Sequence, residues 1–239
     1  MDKTEAKFSE IRAYCEAHTN KANQVKYARY FTEGYDAYGV DKDDFGQWTQ
    51  WIESWKNEMT FDDYMLLGNK LISTGKYEEA SLAIVFNARF TDQYQKEHFD
   101  LFGRWLEKDI RNWAHTDILC NMILSHFLIK KMVAPEDFLS WTKSPFKWKR
   151  RAVPVTLLEI LKTGISIDRL LKTIDPLMSD PEKFVQKGLG WFLREAWKIY
   201  PERIDDYLMK WKDTCGRTII QYATEKMDKE YRKKFARTK

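Results

Sequence analysis

Apolar side chains recur three and four residues apart along almost the whole chain, as in Trp48, Trp51, Ile52 and Trp55, or Tyr94, His98, Leu101, Phe102 and Trp105. That spacing puts them on one face of a 3.6-residue helix, whereas a half-buried strand would alternate every second residue. Sustained alternation is absent, so the expected fold is all-α. Composition agrees, because 10 glycines and 6 prolines in 239 residues leave little punctuation. A hydrophobic share of 44% with 15% aromatics can bury enough surface to offset chain entropy, which excludes a disordered chain.

Breaks at Asn20, Gly34 to Gly39, Met59-Thr60, Thr74-Gly75, Thr91, Arg111-Asn112, Lys143-Ser144-Pro145, Thr163-Gly164, Asp180-Pro181, Pro201 and Cys215-Gly216 predict about a dozen helices with short connections. Thr60-x-x-Asp63 reads as a capping box, and Asp180-Pro181 as a cap followed by a first-turn proline. Short connections make neighbours antiparallel. Stacked antiparallel pairs, as in HEAT repeats, fit this layout as one domain over residues 1–239, and a globular helical bundle fits the same spacing. Two helices break their own propensities. Pro154 inside Trp148 to Lys162 removes a hydrogen bond and predicts a kink. Gly188 and Gly190 inside Phe184 to Tyr200 cost about 1 kcal/mol each relative to alanine, so something approaches closely there, a neighbouring helix or a ligand backbone.

Cys15, Cys120 and Cys215 lie far apart with no metal-ligand spacing, so no metal site is expected. The start Met1-Asp2-Lys3-Thr4-Glu5 has no apolar leader and no stretch is long enough to span a membrane, which reads as a reducing cytoplasm and a monomer by default. No glycine-rich phosphate loop follows a strand, so no nucleotide cofactor is expected. Charge is lopsided. Residues 1–110 hold 14 Lys and Arg against 20 Asp and Glu, leaving 26 against 16 in the remainder. The basic half is a candidate polyanion surface or a set of solvated helix faces.

Within it, Trp141 to Arg151 interleaves five cations, including Lys147, Lys149, Arg150 and Arg151, with three aromatics and no acid. Such a segment can neutralise phosphates and lay aromatic faces against sugars, or its aromatics can be core and its cations solvated. Lys226 to Lys239 adds seven cations, phosphate-binding or simply frayed. Lys187, Trp191 and Arg194 fall at i, i+4 and i+7, one stripe of an indole between two cations. Trp113 and Asp117, four apart, share a helix face; His115 between them is a general base by residue type, or a capping or core histidine.

Taken together, Trp113 four residues before Asp117, the Trp148-x-x-Arg151-Ala152 segment and the helix Gln186-Lys187-x-x-Gly190-Trp191-x-Leu193-Arg194-Glu195 resemble the AlkD-like alkylpurine DNA glycosylases. The likeness extends to Tyr30 to Val40, and the Gly190-Trp191 helix is its most specific part. The resemblance implies a HEAT-like repeat superhelix (an α-α solenoid) whose concave, basic groove grips duplex DNA. It implies base excision repair by release of cationic N3- and N7-alkylated purines, without a cofactor, by a bacterial-type cytoplasmic enzyme that is nucleoid-associated while acting. By motif, Asp117 would be the catalytic carboxylate, Trp113 and Trp191 the indoles against the deoxyribose, and Arg151 a phosphate contact. Arg150, Lys147, Lys149, Lys187 and Arg194 would be further DNA contacts. The family pattern has an acid at the place of Ala114 and an apolar residue at that of Thr116, and Pro154 interrupts the helix presenting Arg151. The alternative is therefore a catalytically silent relative that binds unusual or branched DNA.

Overall fold

The computed structural model describes residues 2–41 and 46–238. Among these residues it contains fourteen α-helices and no strand, as the periodicity requires. No described helix is long and apolar enough to cross a membrane. The chain divides into two compact units, Met1–Ile123 and Leu124–Lys239.

The first unit holds α1 (Lys3–Ala17), α2 (Lys21–Ala28), α3 (Gly46–Trp55), α4 (Phe61–Ser73), α5 (Tyr77–Asn87), α6 (Lys96–Lys108) and α7 (Trp113–Leu119). Local chemistry sets the starts. Asn20 accepts from the Asn23 amide, and Thr60 forms the expected capping box with Asp63. Helix α4 ends at Gly75, whose φ of +76° favours glycine. Helix α5 runs through the core against α4, at a crossing so close that a Cβ on Gly68 would collide with Asn87 Nδ2.

Two adjacent acids open α5, and both are buried. Glu79 accepts a bidentate pair from Arg12 on α1, at 3.0 and 3.1 Å, and a third bond from Tyr38 Oη at 2.9 Å. Glu78 accepts the backbone N–H groups of Tyr38, Gly39 and Val40, at 2.9, 2.7 and 3.3 Å. The two carboxylates thus fasten α1 and the 37–40 loop to the start of α5, where the helix dipole also favours negative charge. The Arg12 pKa is raised, first by its bond to Glu79.

The second unit holds α8 (Ser125–Ile129), α9 (Lys147–Leu158), α10 (Ile167–Ile174), α11 (Lys183–Trp197), α12 (Pro201–Trp211), α13 (Arg217–Ala223) and α14 (Lys229–Arg232). Helix α11 packs against both α9 and α13. A Cβ on Gly190 would collide with Tyr222 Cβ and stand 2.9 Å from Ile219 O, while one on Gly188 would lie 3.4 Å from Arg151 Cγ and Val155 Cγ2. The close approach expected at both glycines is that of neighbouring helices. Helix α9 continues across Pro154, which is buried. The basic C-terminal run is docked: Phe235 is buried, Lys234 pairs with Asp205 at 2.5 Å, and Arg237 donates to Cys215 O at 2.9 Å. Lys239 lies outside the described residues.

Removing one partner of the α1–α5 ion pair leaves a carboxylate buried and undercompensated, so Arg12→Ala is expected to destabilise the fold by about 3 kcal/mol in urea titrations. Gly190→Ala is expected to cost about 1–3 kcal/mol through overpacking against α13. An unchanged unfolding midpoint for either variant contradicts the packing described.

Candidate functional site

Helix α7 begins where the Asn112 side chain accepts the His115 amide at 2.9 Å, with the Thr116 hydroxyl bonded back to Asn112 O at 2.9 Å. This cap makes Trp113 the first helical residue and puts Asp117 one turn later on the same face. Both side chains are half-buried. The Trp113 indole donates from Nε1 to Tyr30 O at 3.1 Å, which holds the ring against the Tyr30–Phe31 segment.

His115 points the other way and is 2% exposed. Its Nε2 donates to Tyr77 O at 3.1 Å and lies 3.0 Å from Ser81 Oγ; its Nδ1 accepts from Asn112 Nδ2 at 2.9 Å. Burial lowers its pKa to about 4, against a smaller upward effect of the bond to Tyr77, so the ring is neutral. Of the two sequence readings, the core histidine is the one found.

Beside Trp113 the first unit has a cavity of about 360 Å³ walled by seven aromatic side chains, among them Tyr27, Phe31, Tyr35, Trp48 and Tyr77, together with Glu78 and Ala114. Phe31 lies parallel to Tyr35 (ring centroids 4.7 Å, 7°) and nearly parallel to Trp113 (5.8 Å, 14°), and Tyr77 meets it at 5.3 Å and 63°. Sequence reasoning passed over this cluster except for Trp113 and the Tyr30–Val40 likeness. The available signal was density: Tyr27, Tyr30, Phe31, Tyr35 and Tyr38 fall within twelve residues.

In the second unit the interleaved segment separates into two kinds of residue. Trp141 and Trp148 are buried and Phe146 is exposed. Lys149 Nζ stands 4.9 Å from the Trp141 ring centroid and Lys147 Nζ 5.1 Å from that of Trp148. Arg151 is 5% exposed and donates from Nη1 to Phe184 O at 2.6 Å, beneath α11. Arg150 pairs with Asp180 at 2.6 Å and donates to Ser144 O at 2.7 Å. On α11, Lys187, Trp191 and Arg194 form the expected half-exposed stripe. Lys187 Nζ lies 5.4 Å from the Phe184 ring, and Arg194 is paired with Glu195 and Glu225.

A family model described as DNA alkylation repair enzyme matches residues 11–227. Among solved structures, the chain is similar to a protein of Enterococcus faecalis described as a predicted DNA alkylation repair enzyme, at 17% identity and a TM-score of 0.73, covering 89% of this chain and 98% of that one. It is also similar to AlkD2 from Streptococcus mutans, at 18% identity and a TM-score of 0.59, covering 87% and 99%. At these identities the likeness is one of fold, the all-α helical-repeat fold expected from the sequence. No curated protein matches the chain significantly.

The neutral His115 makes stability pH-dependent. Its folded pKa of about 4 lies below the ordinary 6.5, so as pH falls the unfolded chain takes up the proton first. The stabilisation is complete above pH 6.5 and is lost as pH falls towards 4, by about 3 kcal/mol in full. Denaturant titrations are expected to show His115→Gln losing correspondingly less stability than the parent over this window; equal losses would mean that the folded ring is charged.

Proposed function

We propose, for a chain that belongs to the DNA alkylation repair enzyme family, the excision of cationic N3- and N7-alkylated purines from duplex DNA by hydrolysis of the N-glycosidic bond. The observation that carries this reading is the presentation of Trp113 and Asp117 on one half-buried face at the capped start of α7.

The chemistry suits those groups. An alkylated purine already carries positive charge and departs neutral, so little protonation is needed and the barrier lies in the cation that develops on the sugar. The Asp117 carboxylate stabilises that charge and orients the attacking water, as carboxylates do in glycoside hydrolysis. The Trp113 indole, on the same helix face, lies against the deoxyribose and adds cation–π attraction, and Trp191 keeps its role as an indole contact only as the resemblance implies it. Lys147, Lys149 and Lys187 serve as phosphate contacts. Arg151 acts at the base of α11, where its guanidinium also holds Phe184 O. Arg150 and Arg194 stay within this reading as weaker contacts, because Asp180, Glu195 and Glu225 already offset their charge.

Duplex affinity is expected to fall steeply with salt and to be sequence-independent, and replacing Lys147 and Lys149 by alanine should flatten the slope in binding titrations. With enzyme in excess over a 7-methylguanine duplex, the parent chain is expected to release the base. Asp117→Asn should abolish release and leave duplex affinity nearly unchanged, since the charge it stabilises is complete only near the transition state. Binding without release by the parent replaces this reading with that of a silent DNA-binding relative; normal release by Asp117→Asn removes Asp117 from the chemistry.

A further inference from the structure

The cations of the C-terminal run divide by what they face. Lys234 and Arg237 dock the run, on Asp205 and on Cys215 O. Lys229, Arg232 and Lys233, spaced i, i+3 and i+4, instead line one wall of a cleft of about 230 Å³. The other wall is α13, which contributes Arg217, Ile220, Gln221 and Thr224, a spacing that puts all four on one helix face. Gly190 of α11 meets α13 at Ile219, Tyr222 and Ala223, so the cleft lies on the side of α13 turned away from α11. Ile220 and Phe235, 4% and 1% exposed, supply the apolar part of its lining and keep its shape.

Charge decides what such a cleft takes. Four cations line it, and among the described residues no acid does. Arg217, Lys229 and Arg232 carry no salt bridge among those residues, and Lys233 has only an exposed partner, Glu230. Other acids close in sequence are engaged elsewhere: Glu225 with Arg194, and Asp228 in capping α14 through the amides of Glu230 and Tyr231. Like charges gathered around one concavity repel one another until an anion joins them. Arg232 is half-buried, where water screens its charge less. The two guanidiniums offer planar forks that match phosphate oxygens, and the lysines and the Gln221 amide add further donors. Size narrows the choice. The volume falls below the ~300–1,000 Å³ usual for drug-sized ligands and suits a phosphate with a short substituent. A backbone phosphodiester brings one negative charge and two substituents, whereas a phosphomonoester brings about −1.5 to −2 and three acceptor oxygens. The second matches a cluster of unopposed cations better.

We propose that the cleft between α13 and the C-terminal run is a receptor for a phosphomonoester dianion, gripped by Arg217 and Arg232 with Lys229 and Lys233 at its rim. The ligand is either a small phosphorylated molecule or the terminal phosphate of a nucleic-acid strand, which present the same group. The site shares no residue with the proposed excision chemistry or its duplex contacts, and it stands whether or not the chain releases a base.

Calorimetric titration of the full chain with methyl phosphate and with dimethyl phosphate, in a constant excess of chloride, tests the proposal. The monoester is expected to bind at least about tenfold more tightly than the diester. Arg232→Gln and Arg217→Gln should each weaken methyl phosphate binding about tenfold. Their thermal midpoints should stay close to that of the parent, because neither residue carries a salt bridge among the described residues. Lys162→Gln removes the same charge from an exposed residue that does not line the cleft, and should leave the affinity unchanged. Absence of methyl phosphate binding, equal affinity for the diester, undiminished binding by both folded arginine variants, or an equal loss in Lys162→Gln overturns the proposal. A short single strand ending in a phosphate, compared with the same strand ending in a hydroxyl, tells the two sources apart. A preference for the phosphorylated end that Arg232→Gln abolishes assigns the cleft to strand ends, and equal affinity for the two strands assigns it to small phosphorylated molecules.

Discussion

Two neighbouring carboxylates taken out of water set the terms for the first unit. A buried carboxylate is tolerated when nearly every lone pair is answered, and Glu78 and Glu79 are answered from different parts of the chain: α1 through Arg12, and the 37–40 loop through Tyr38 and three successive amides. Meeting those demands leaves the loop little freedom. Gly39 takes a positive φ of 78° within it. The loop in turn fixes where Val40 and the Tyr30–Tyr35 segment stand relative to Tyr77, and so shapes the cavity. Stability and site geometry in this unit therefore rest on the same few hydrogen bonds.

The fold was largely legible because helical periodicity and caps are local properties. Thr60 and Asp63 are three residues apart, and so are Asn112 and His115; a reader of the chain can pair them without knowing the tertiary structure. The shared face of Trp113 and Asp117 and the Lys187, Trp191 and Arg194 stripe were legible for the same reason. What could not be read was set at long range. Periodicity identifies a buried face but not what lies against it, so Gly190 was equally compatible with a ligand and with Tyr222, thirty-two residues on. The cavity needed Tyr27, Tyr77 and Trp113 to meet across more than eighty residues.

Charge counting met a similar limit. The basic excess of the second half is real in the sequence, yet part of it is offset by acids that sit about thirty residues away, Asp180 for Arg150 and Glu225 for Arg194. Lysines over rings are a different case, as with Lys149, whose ammonium stands 4.9 Å from the Trp141 centroid. The opposite situation holds at Glu78, an acid in the half with net negative charge whose surroundings are amides and rings. The informative quantity is the charge left after local pairing, and that depends on the fold.

The bond from the Trp113 indole to Tyr30 O has an evolutionary corollary. Phenylalanine at position 113 would keep a flat apolar face but lose the bond and leave the carbonyl to water, and tyrosine would carry its donor at the wrong end of the ring. Because the acceptor is backbone, no second substitution at position 30 can restore the match. The ring is thus matched to a main-chain group that no substitution at position 30 removes, so the constraint on its orientation outlasts changes in the side chains around it.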